Sequence, residues 1–312
     1  KLQSDIKRLI KNMKVFIYAD NIYWLEKPSA KGQSTFLSIP KKLNEEISKD
    51  LWSMDKSMLL TSGTIAVNGD FDYMEKELGL NLINKNKIVE ISKASPFKFK
   101  ENCMMYISNN IPFPNTDDEN YIKKVTKEIY KLIKASNGHT MVLFTSYKPL
   151  RKVYKKISEQ ITDIPLIEMS RGRSNAVLEF KKSKNGVLFA TGSMWEGVNI
   201  PGDILSHLII VKLPFPIPDP ISEYEKTLYR DMNHYIKLVL IPKMLIKLRQ
   251  GAGRLIRSES DTGVISILDI RAGNKGKYRG EIINALPKCG ASERIDDIKE
   301  FIRDKKDKSY FK

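Results

Sequence analysis

Apolar, β-branched segments alternate with amphipathic segments along most of the chain, and this alternation constrains the fold more than any other feature. The apolar segments are CMMYIS, HTMVLFTS, GVLFATG, HLIIVKLP and GVISILD, which begin at residues 103, 139, 186, 207 and 263. Helical patterns lie at 119–135, 148–160, 173–182 and 220–250, the last interrupted near Pro242. Strands buried on both sides and separated by helices indicate a mostly parallel sheet with helices on both faces. The sequence therefore predicts an α/β fold.

The first 90 residues have a less regular pattern. An amphipathic helix is predicted at residues 2–13, followed by extended runs KVFIYAD and STFLSIP and a helix at 41–52. The segment SMLLTSGT is predicted to be a strand that enters a polar turn, and a helix is expected between this turn and Gly79. A length of 312 residues allows two modest domains, and we place their boundary near residues 85–95.

The charge balance points to a polyanionic partner. Lys and Arg number 53 against 37 Asp and Glu, which gives a net charge of +16. No run of 18 apolar residues is present, so the sequence predicts no membrane span. Nucleic acid is therefore the expected partner.

The cysteines and histidines form no recognisable site pattern. Cys103 and Cys289 lie 186 positions apart, which fits neither a disulfide framework nor an iron–sulfur cluster, which needs about four thiolates. The three histidines lack the spacing of zinc ligands, so no metal site is assigned. These features predict a reducing, cytoplasmic location. The chain begins at Lys1 without a leader pattern, and we expect it to be a piece of a longer protein.

The segment QGAGRLIR is the strongest chemical signal. Arg254 and Arg257 are three positions apart on a helix or turn and can face one polyanion, which their guanidinium groups bind bidentately. Gln250 can orient a water molecule or contact a terminal phosphate, while Gly251 and Gly253 allow close backbone approach. The alternative is a surface helix with two solvated arginines.

The segment TGSMWEGVNIPGD directly follows the apolar strand GVLFA. A glycine-containing loop at the carboxyl end of a parallel strand lies where ligands bind in open α/β sheets. Glu196 and Asn199 can reach a ribose hydroxyl or a neighbouring arginine. Trp195 can stack on a base, but a core tryptophan is an equal alternative.

Two weaker signals are VLFTSYKPL and LLTSGTI, in which an apolar strand runs into hydroxyl residues. The first brings Ser146 and Tyr147 to the same sheet edge, where they suit a sugar-phosphate backbone. The second contains Thr61 and Ser62. Either segment could also be an ordinary turn with capping hydroxyls.

In chain order, TSGT, VLFTSY, TGSMWEGVNIPG and QGAGRLIR resemble motifs III, IV, V and VI of superfamily 2 helicases, specifically the DinG branch of the XPD-like family. The resemblance covers about residues 23–287 and leaves a basic, family-neutral tail. It implies a RecA-like fold. It also implies that residues 1–20, a helix and strand, close an inserted arch-like domain, that 21–90 end the first RecA-like lobe, and that 91–312 form the second lobe.

The resemblance also implies roles for individual residues. The catalytic group, which contacts the γ-phosphate and includes an arginine finger, is Gln250, Arg254 and Arg257. The ATP-binding group is Glu196, Gly197, Asn199 and Gly253. The single-strand track is Ser146, Tyr147, Ser193 and Trp195. Thr61 and Ser62 would couple the two lobes.

Two departures from the family pattern affect these expectations. Asn199 stands where the family usually has Asp, and the chain has no G-x-x-x-x-G-K-[ST] phosphate loop. ATP with Mg²⁺ is the expected cofactor, with the phosphate loop and Mg²⁺ held by a first lobe outside this segment. No iron–sulfur cluster is expected within this segment.

The resulting hypothesis is the C-terminal motor half of an ATP-dependent DNA helicase that translocates on single-stranded DNA. Its expected partners are single-stranded DNA and the first lobe of the same protein, in a monomer without membrane attachment. One alternative is a non-catalytic RecA-like module that binds single-stranded nucleic acid. A nuclease is a third possibility, disfavoured because no metal-binding carboxylates cluster at a strand end.

Overall fold

The structure, a computed structural model, describes residues 2–27, 32, 34–54, 56–67, 69–170, 175–195, 200 and 202–311, with the side chains of residues 18 and 193 excepted. It divides into two compact units. Unit 1 contains Lys1–Ser92 and Phe215–Lys243, and unit 2 contains Lys93–Pro214 and Met244–Lys312. The division after Ser92 lies within the predicted range of 85–95.

A parallel sheet of seven strands, as far as the described residues go, forms the centre of unit 2. Its strands are β3 (Cys103–Ile107), β4 (Thr140–Leu143), β5 (Leu166–Glu168), β6 (Val187–Ala190), β7 (His207–Ile210), β8 (Gly263–Ile267) and β9 (Gly290–Ser292). The strand order is β5-β6-β4-β7-β8-β3-β9, and each neighbouring pair is parallel. This topology confirms the predicted parallel α/β fold.

The core of unit 2 forms between this sheet and its helices. These helices are α4 (Phe99–Asn102), α5 (Glu119–Ala135), α6 (Tyr147–Ser158), α7 (Ala176–Lys182), α10 (Ile241–Ala252), α11 (Arg279–Ala285) and α12 (Ile295–Lys305). Apolar residues at helical spacing on α5 form a fully buried stripe: Ile122, Val125, Ile129, Leu132 and Ile133. All residues of β4, β6, β7 and β8 are buried, which explains why these segments are nearly continuous apolar runs.

The last 25 residues are part of this core rather than an appended tail. β9 extends the sheet by pairing with β3, and α12 buries Ile298 and Ile302 in the same cluster as α5. Near the end of the chain, the ring of Tyr310 stacks on His139 at 3.8 Å between centroids, and its hydroxyl donates to the carbonyl of Ser136. No strand was predicted at β9, because a segment of three small residues, GAS, is too short to form an apolar pattern.

A buried histidine stands at the start of β7. His207 is fully buried, with Nδ1 3.1 Å from the hydroxyl of Ser136 and Nε2 2.7 Å from that of Ser266. Burial lowers the pKa of His207 from 6.5 to about 3. The imidazole is therefore neutral in the folded protein at any ordinary pH.

We expect this histidine to make the fold less stable as the pH falls below about 6.5. In the unfolded chain His207 takes up a proton near that pH, whereas in the folded chain it does not until about pH 3. One such group lowers the free energy of unfolding by up to about 1.4 kcal/mol per pH unit in this window. Denaturant unfolding of the wild type and His207→Gln between pH 6.5 and 5 measures the two slopes, and the variant's should be shallower. His234→Gln, at an exposed site, is the control; equal slopes for wild type and His207→Gln would contradict the expectation.

Unit 1 begins with α1 (Leu2–Tyr18), a hairpin of β1 (Asn21–Glu26) and β2 (Thr35–Pro40), and α2 (Leu43–Ile47). The prediction of an extended run KVFIYAD, and hence of a strand within residues 1–20, is wrong, because α1 continues to Tyr18. The ring of Phe16 packs 5.3 Å from that of Tyr23, and the Tyr23 hydroxyl donates to the carbonyls of Val15 and Ala19 near the helix end. Short apolar runs suit either a helix or a strand, and these tertiary contacts favour the helix.

The predicted strand SMLLTSGT does not form. Residues 57–62 have no regular structure, and Leu59 is 89% exposed. A strand needs the backbone of a neighbouring strand to satisfy its N–H and C=O groups, and no described residue pairs with this segment. The helix that follows, α3 (Asp72–Glu77), is shorter than predicted.

The helical pattern at 220–250 is divided in the structure. Its parts are α8 (Pro220–Thr227), α9 (Met232–Tyr235), a π-helical segment Ile236–Leu240, and α10. Asp231 starts a new helix by accepting the N–H of His234, and the π-helical turn precedes Pro242, which has no N–H to donate. Residues 215–243 cluster with unit 1 by their contacts, although they lie within the range 91–312 predicted for the second lobe, and that lobe assignment stays a prediction. That clustering depends on contacts distant in sequence.

Candidate functional site

Trp195 links three of the sequence motifs at the carboxyl edge of the sheet. It ends a short 3₁₀ turn after β6, is 1% exposed, and donates from its indole nitrogen to the carbonyl of Phe144, 3.0 Å away and just after β4. This burial corrects the expectation that Trp195 stacks on a base and lines the single-strand track. The core alternative holds because the indole packs best where its large apolar surface leaves water and its N–H has a partner.

Gly251 brings helix α10 against the indole of Trp195. A Cβ atom at position 251 would lie 2.9 Å from Cε3 of Trp195, closer than real Cβ atoms approach, and 3.1 Å from Cζ3, which is tighter than most Cβ contacts. Gly251, which was expected to allow close approach of the backbone, therefore allows α10 to approach the Trp195 ring. The segments VLFTSY, TGSMW and QGAGRLIR consequently meet around one buried side chain.

The two arginines follow the end of α10. The backbone N–H of Arg254 donates to the carbonyl of Gly251 at 3.1 Å, so the chain continues for one tight turn beyond Ala252. A guanidinium nitrogen of Arg254 reaches the carbonyl oxygen of Trp195 at 3.5 Å, a long hydrogen bond. Between the arginines, Leu255 and Ile256 are buried and hold this turn on the core.

Arg254 and Arg257 are close enough to interact electrostatically. Burial lowers the pKa of Arg257, and the positive charge of Arg254 lowers it further. The backbone N–H of Arg257 donates to the carboxylate of Asp261 at 2.9 Å, which fixes the loop that carries it. The Asp261 carboxylate offsets part of this lowering of the pKa of Arg257. Two half-buried cations in one place still favour an anionic ligand, because an anion offsets both their repulsion and the cost of their partial burial.

Gln250 and Gly253 lie on either side of the end of α10. Gln250 is half-buried on the last helical turn. Gly253 is exposed, and its N–H donates to the carbonyl of Arg249 at 2.8 Å. Gln250 is thus four residues before Arg254, on the same helical turn that leads to the arginines.

Several predicted site residues lie outside the described residues. They are Glu196, Gly197 and Asn199, and the side chain of Ser193. Their roles in binding ATP and single-stranded DNA stay predictions.

Ser146 and Tyr147 start α6 at the same edge of the sheet. Ser146 is exposed at the N-cap without a capping hydrogen bond from its side chain, and Tyr147 is half-buried. The guanidinium of Arg151, one turn along α6, lies 6.0 Å from the centre of the Tyr147 ring. An exposed hydroxyl, an aromatic ring and a cation therefore share the first turns of α6, and sequence reasoning had not included Arg151.

Thr61 and Ser62 belong to unit 1. Both are exposed, and the hydroxyl of Ser62 accepts the N–H of Thr64 at 3.2 Å. Their role in coupling two lobes stays a prediction.

An acidic residue that sequence reasoning missed stabilises the loops after β7 and β8. Asp269 is fully buried, accepts the N–H of Leu213 at 2.9 Å, and pairs with the guanidinium of Arg271 at 2.7 Å. The sequence feature that could have identified Asp269 is an aspartate just after an apolar strand and two residues before an arginine. Asp269 thus joins neighbouring loops at the edge where the motifs meet.

The described residues contain neither a metal-binding cluster nor a membrane-spanning helix. No group of three or more His, Cys, Asp or Glu side chains is arranged to hold a metal ion. None of the described helices is both long and apolar enough to cross a membrane.

Comparison with known families identifies the arrangement. The model of the helicase C-terminal domain matches residues 129–289, which are 161 of the 312 residues and include motifs IV, V and VI. The chain belongs to this family. The predicted resemblance to helicases of the DinG branch is confirmed, because DinG and YoaA proteins are among its relatives.

The relatives are longer proteins than this chain. The 3'-5' exonuclease DinG of Bacillus subtilis is 30% identical over 89% of this chain and 30% of its own length. The ATP-dependent DNA helicase YoaA of Haemophilus influenzae is 28% identical over 97% of this chain and 46% of its own length. The ATP-dependent helicase DinG of Mycobacterium tuberculosis is 29% identical over 78% and 37%. The chain thus spans less than half the length of these relatives.

Solved structures of XPD helicases share the fold. One XPD helicase has a TM-score of 0.63 at 18% identity, covering 92% of this chain and 50% of its own. Xpd4 of S. tokodaii has a TM-score of 0.57 at 16% identity, covering 91% and 57%. Together with the parallel sheet, these similarities confirm the predicted RecA-like α/β fold.

Proposed function

We propose that this chain is the C-terminal motor half of an ATP-dependent DNA helicase that translocates on single-stranded DNA. The observation that carries this proposal is the pair Arg254 and Arg257, held by the buried turn after α10 and adjacent to the motif V residue Trp195. Membership of the helicase C-terminal domain family supports it. We call the longer protein that would contain this chain the parent protein. We propose that the parent protein is a cytoplasmic monomer.

The residues of this chain fit the terminal phosphate of ATP. Arg254 and Arg257 provide two half-buried cations whose repulsion a phosphate group would relieve, and Gln250 lies on the preceding helical turn. In the proposed reaction one arginine acts as the finger that stabilises charge on the transferred phosphoryl group, and Gln250 orients the attacking water. ATP with Mg²⁺ supplies the phosphoanhydride bond that is hydrolysed. Glu196, Gly197, Asn199 and Gly253 are proposed to contact the remainder of the nucleotide.

The single-strand track is proposed to run over the start of α6. Ser146 offers a hydroxyl to a phosphate, Tyr147 a ring face to a base, and Arg151 a positive charge. Ser193 is retained in this proposal, whereas the buried Trp195 is not. The net charge of +16 supports binding to a polyanion.

Coupling between the two lobes of the motor is assigned to Thr61 and Ser62. Both lie in the segment proposed to end the first lobe, and their exposure leaves both hydroxyls accessible to the second lobe. The rest of the first lobe is proposed to supply the Mg²⁺ ligands and the phosphate loop, whose sequence pattern this chain does not contain. We therefore expect the 312-residue chain alone to bind DNA but not to hydrolyse ATP.

DNA binding by this chain is expected to weaken as salt rises, with a slope set by the number of phosphate contacts. For single strands, each contact contributes about −0.7 to the slope of log K against log salt concentration. Arg151→Ala should make the slope shallower by about that amount, as measured by fluorescence anisotropy with labelled single-stranded DNA. Lys131→Ala is the matched control, because Lys131 is exposed near the end of α5 that leads to the opposite edge of the sheet.

The same measurements separate the helicase from the binding-module alternative. A parent protein whose ATP hydrolysis is stimulated by single-stranded DNA supports the helicase proposal. A parent protein that hydrolyses no ATP, together with a chain that binds DNA equally with and without nucleotide, supports the binding module. An unchanged salt slope in Arg151→Ala would remove α6 from the proposed track.

A further inference from the structure

The two cysteines, 186 positions apart in sequence, are neighbours in the folded chain. Cys103 is the first residue of β3, and Cys289 immediately precedes β9. These strands pair in parallel with Met104 opposite Gly290, so Cys103 and Cys289 stand opposite each other one residue earlier. Pairing between strands thus creates a dithiol that the sequence spacing conceals.

The geometry of the pair is compatible with a disulfide bond. Neighbouring strands lie about 4.7–4.9 Å apart, within the range of about 4.4–6.8 Å between the Cα atoms of disulfide-bonded cysteines. Residues directly opposite on parallel strands point to the same face of the sheet. In agreement, the two thiols are close enough to shift each other's pKa, and the Cys103 thiol donates to the carbonyl of Met104 at 3.9 Å.

The two thiols differ in exposure and acidity. Cys289 is half-buried and open to small reagents, whereas Cys103 is 2% exposed. Interaction with the neighbouring Cys103 thiol lowers the pKa of Cys289, while interaction with Cys289 and burial raise the pKa of Cys103. Cys289 is therefore the thiol that reacts first, because the thiolate is the nucleophile in exchange reactions.

We propose that Cys103 and Cys289 form a redox-active pair that closes to an intramolecular disulfide on reaction with a small-molecule disulfide. In the first step the Cys289 thiolate attacks one sulfur of the reagent, forms a mixed disulfide and releases one thiolate. In the second step the Cys103 thiol loses its proton to solvent, and its sulfur attacks that of Cys289 and releases the second thiolate. The two cysteines lose two electrons in total, and the reagent gains them.

The disulfide would fasten the end of the chain to the sheet. The residues after Cys289 include β9 and α12, which contributes Ile298 and Ile302 to the core. A covalent bond between β3 and the start of β9 restricts the separation of this segment in the unfolded chain, and so raises the thermal midpoint. This inference is independent of the proposed helicase function.

The test is a titration of the folded 312-residue chain with oxidised glutathione. The expected product has lost both free thiols, retains no glutathione, and gives a peptide pair joined through Cys103 and Cys289 that dithiothreitol separates. Its thermal midpoint should exceed that of the reduced chain. Peptide mapping under non-reducing conditions and differential scanning calorimetry measure the two effects.

Two variants test the two steps of disulfide formation separately. Cys103→Ser should retain glutathione on Cys289, because no second thiol attacks the mixed disulfide. Cys289→Ser should leave Cys103 as a free thiol. The proposal is overturned if the wild-type chain accumulates glutathione on Cys289 while Cys103 stays free, if two chains become joined, or if neither cysteine reacts.

Discussion

The Arg254→Ala variant of the parent protein is expected to hydrolyse ATP about 10³- to 10⁵-fold more slowly than the wild type in the presence of single-stranded DNA, if Arg254 is the finger. Arg254 is set in place by its N–H bond to Gly251 and its contact with the carbonyl of Trp195. A finger acts on charge that develops in the transition state, so the loss should fall on kcat. The KM for ATP should change much less.

Three further variants define what the result means. Arg257→Ala tests whether the second arginine is the finger instead. Arg254→Lys keeps the positive charge but loses the planar guanidinium group, so we expect its ATP turnover to remain strongly impaired. Arg294→Ala, at an exposed position before α12, is the control and should retain full turnover. Wild-type turnover in both Arg254→Ala and Arg257→Ala would exclude an arginine finger in this segment.

Gly251→Ala is expected to lower the free energy of unfolding by about 1–3 kcal/mol, the usual cost of overpacking a core. The new methyl group would lie 2.9 Å from Cε3 of Trp195. The indole cannot easily withdraw, because it is 1% exposed and bonded to the carbonyl of Phe144. Displacement of α10 would also move Gln250 and Arg254, so the parent protein should lose turnover as well.

A double-mutant cycle tests whether the indole is the cause. Trp195→Phe removes part of the ring that the methyl group would meet, so adding it to Gly251→Ala should cost less than the sum of the single changes. Denaturant unfolding of the four chains measures this coupling. Gly280→Ala in α11 is the matched control, because its Cβ would meet nothing within 4 Å, and it should leave stability unchanged or increase it. Simple additivity would show that the clash is relieved elsewhere.

The positions of the strands and helices in unit 2 were largely predictable from sequence. The pattern at 119–135 became α5 with the same bounds, and the apolar runs at 139, 186, 207 and 263 contain β4, β6, β7 and β8. Each of these segments has a strong local periodicity or a long β-branched run, so its preference does not depend on distant residues. The order of the motifs likewise sufficed to indicate the helicase family.

Predictions failed where a short segment depended on partners elsewhere in the chain. KVFIYAD is helical as far as Tyr18, and SMLLTSGT has no paired strand among the described residues. In each case the local pattern suited more than one structure. Contacts between residues far apart in sequence selected the one that formed.

The sequence by itself determined the α/β fold, the family and the residue types at the candidate site, because apolar periodicity and motif order are properties of the sequence that do not depend on tertiary contacts. Only the tertiary structure decided that Trp195 is a buried link between α10 and the end of β4 rather than a base-stacking ring. Only the structure placed Cys103 opposite Cys289. Both outcomes depend on which strands and helices become neighbours, and that choice is made by packing over the whole core.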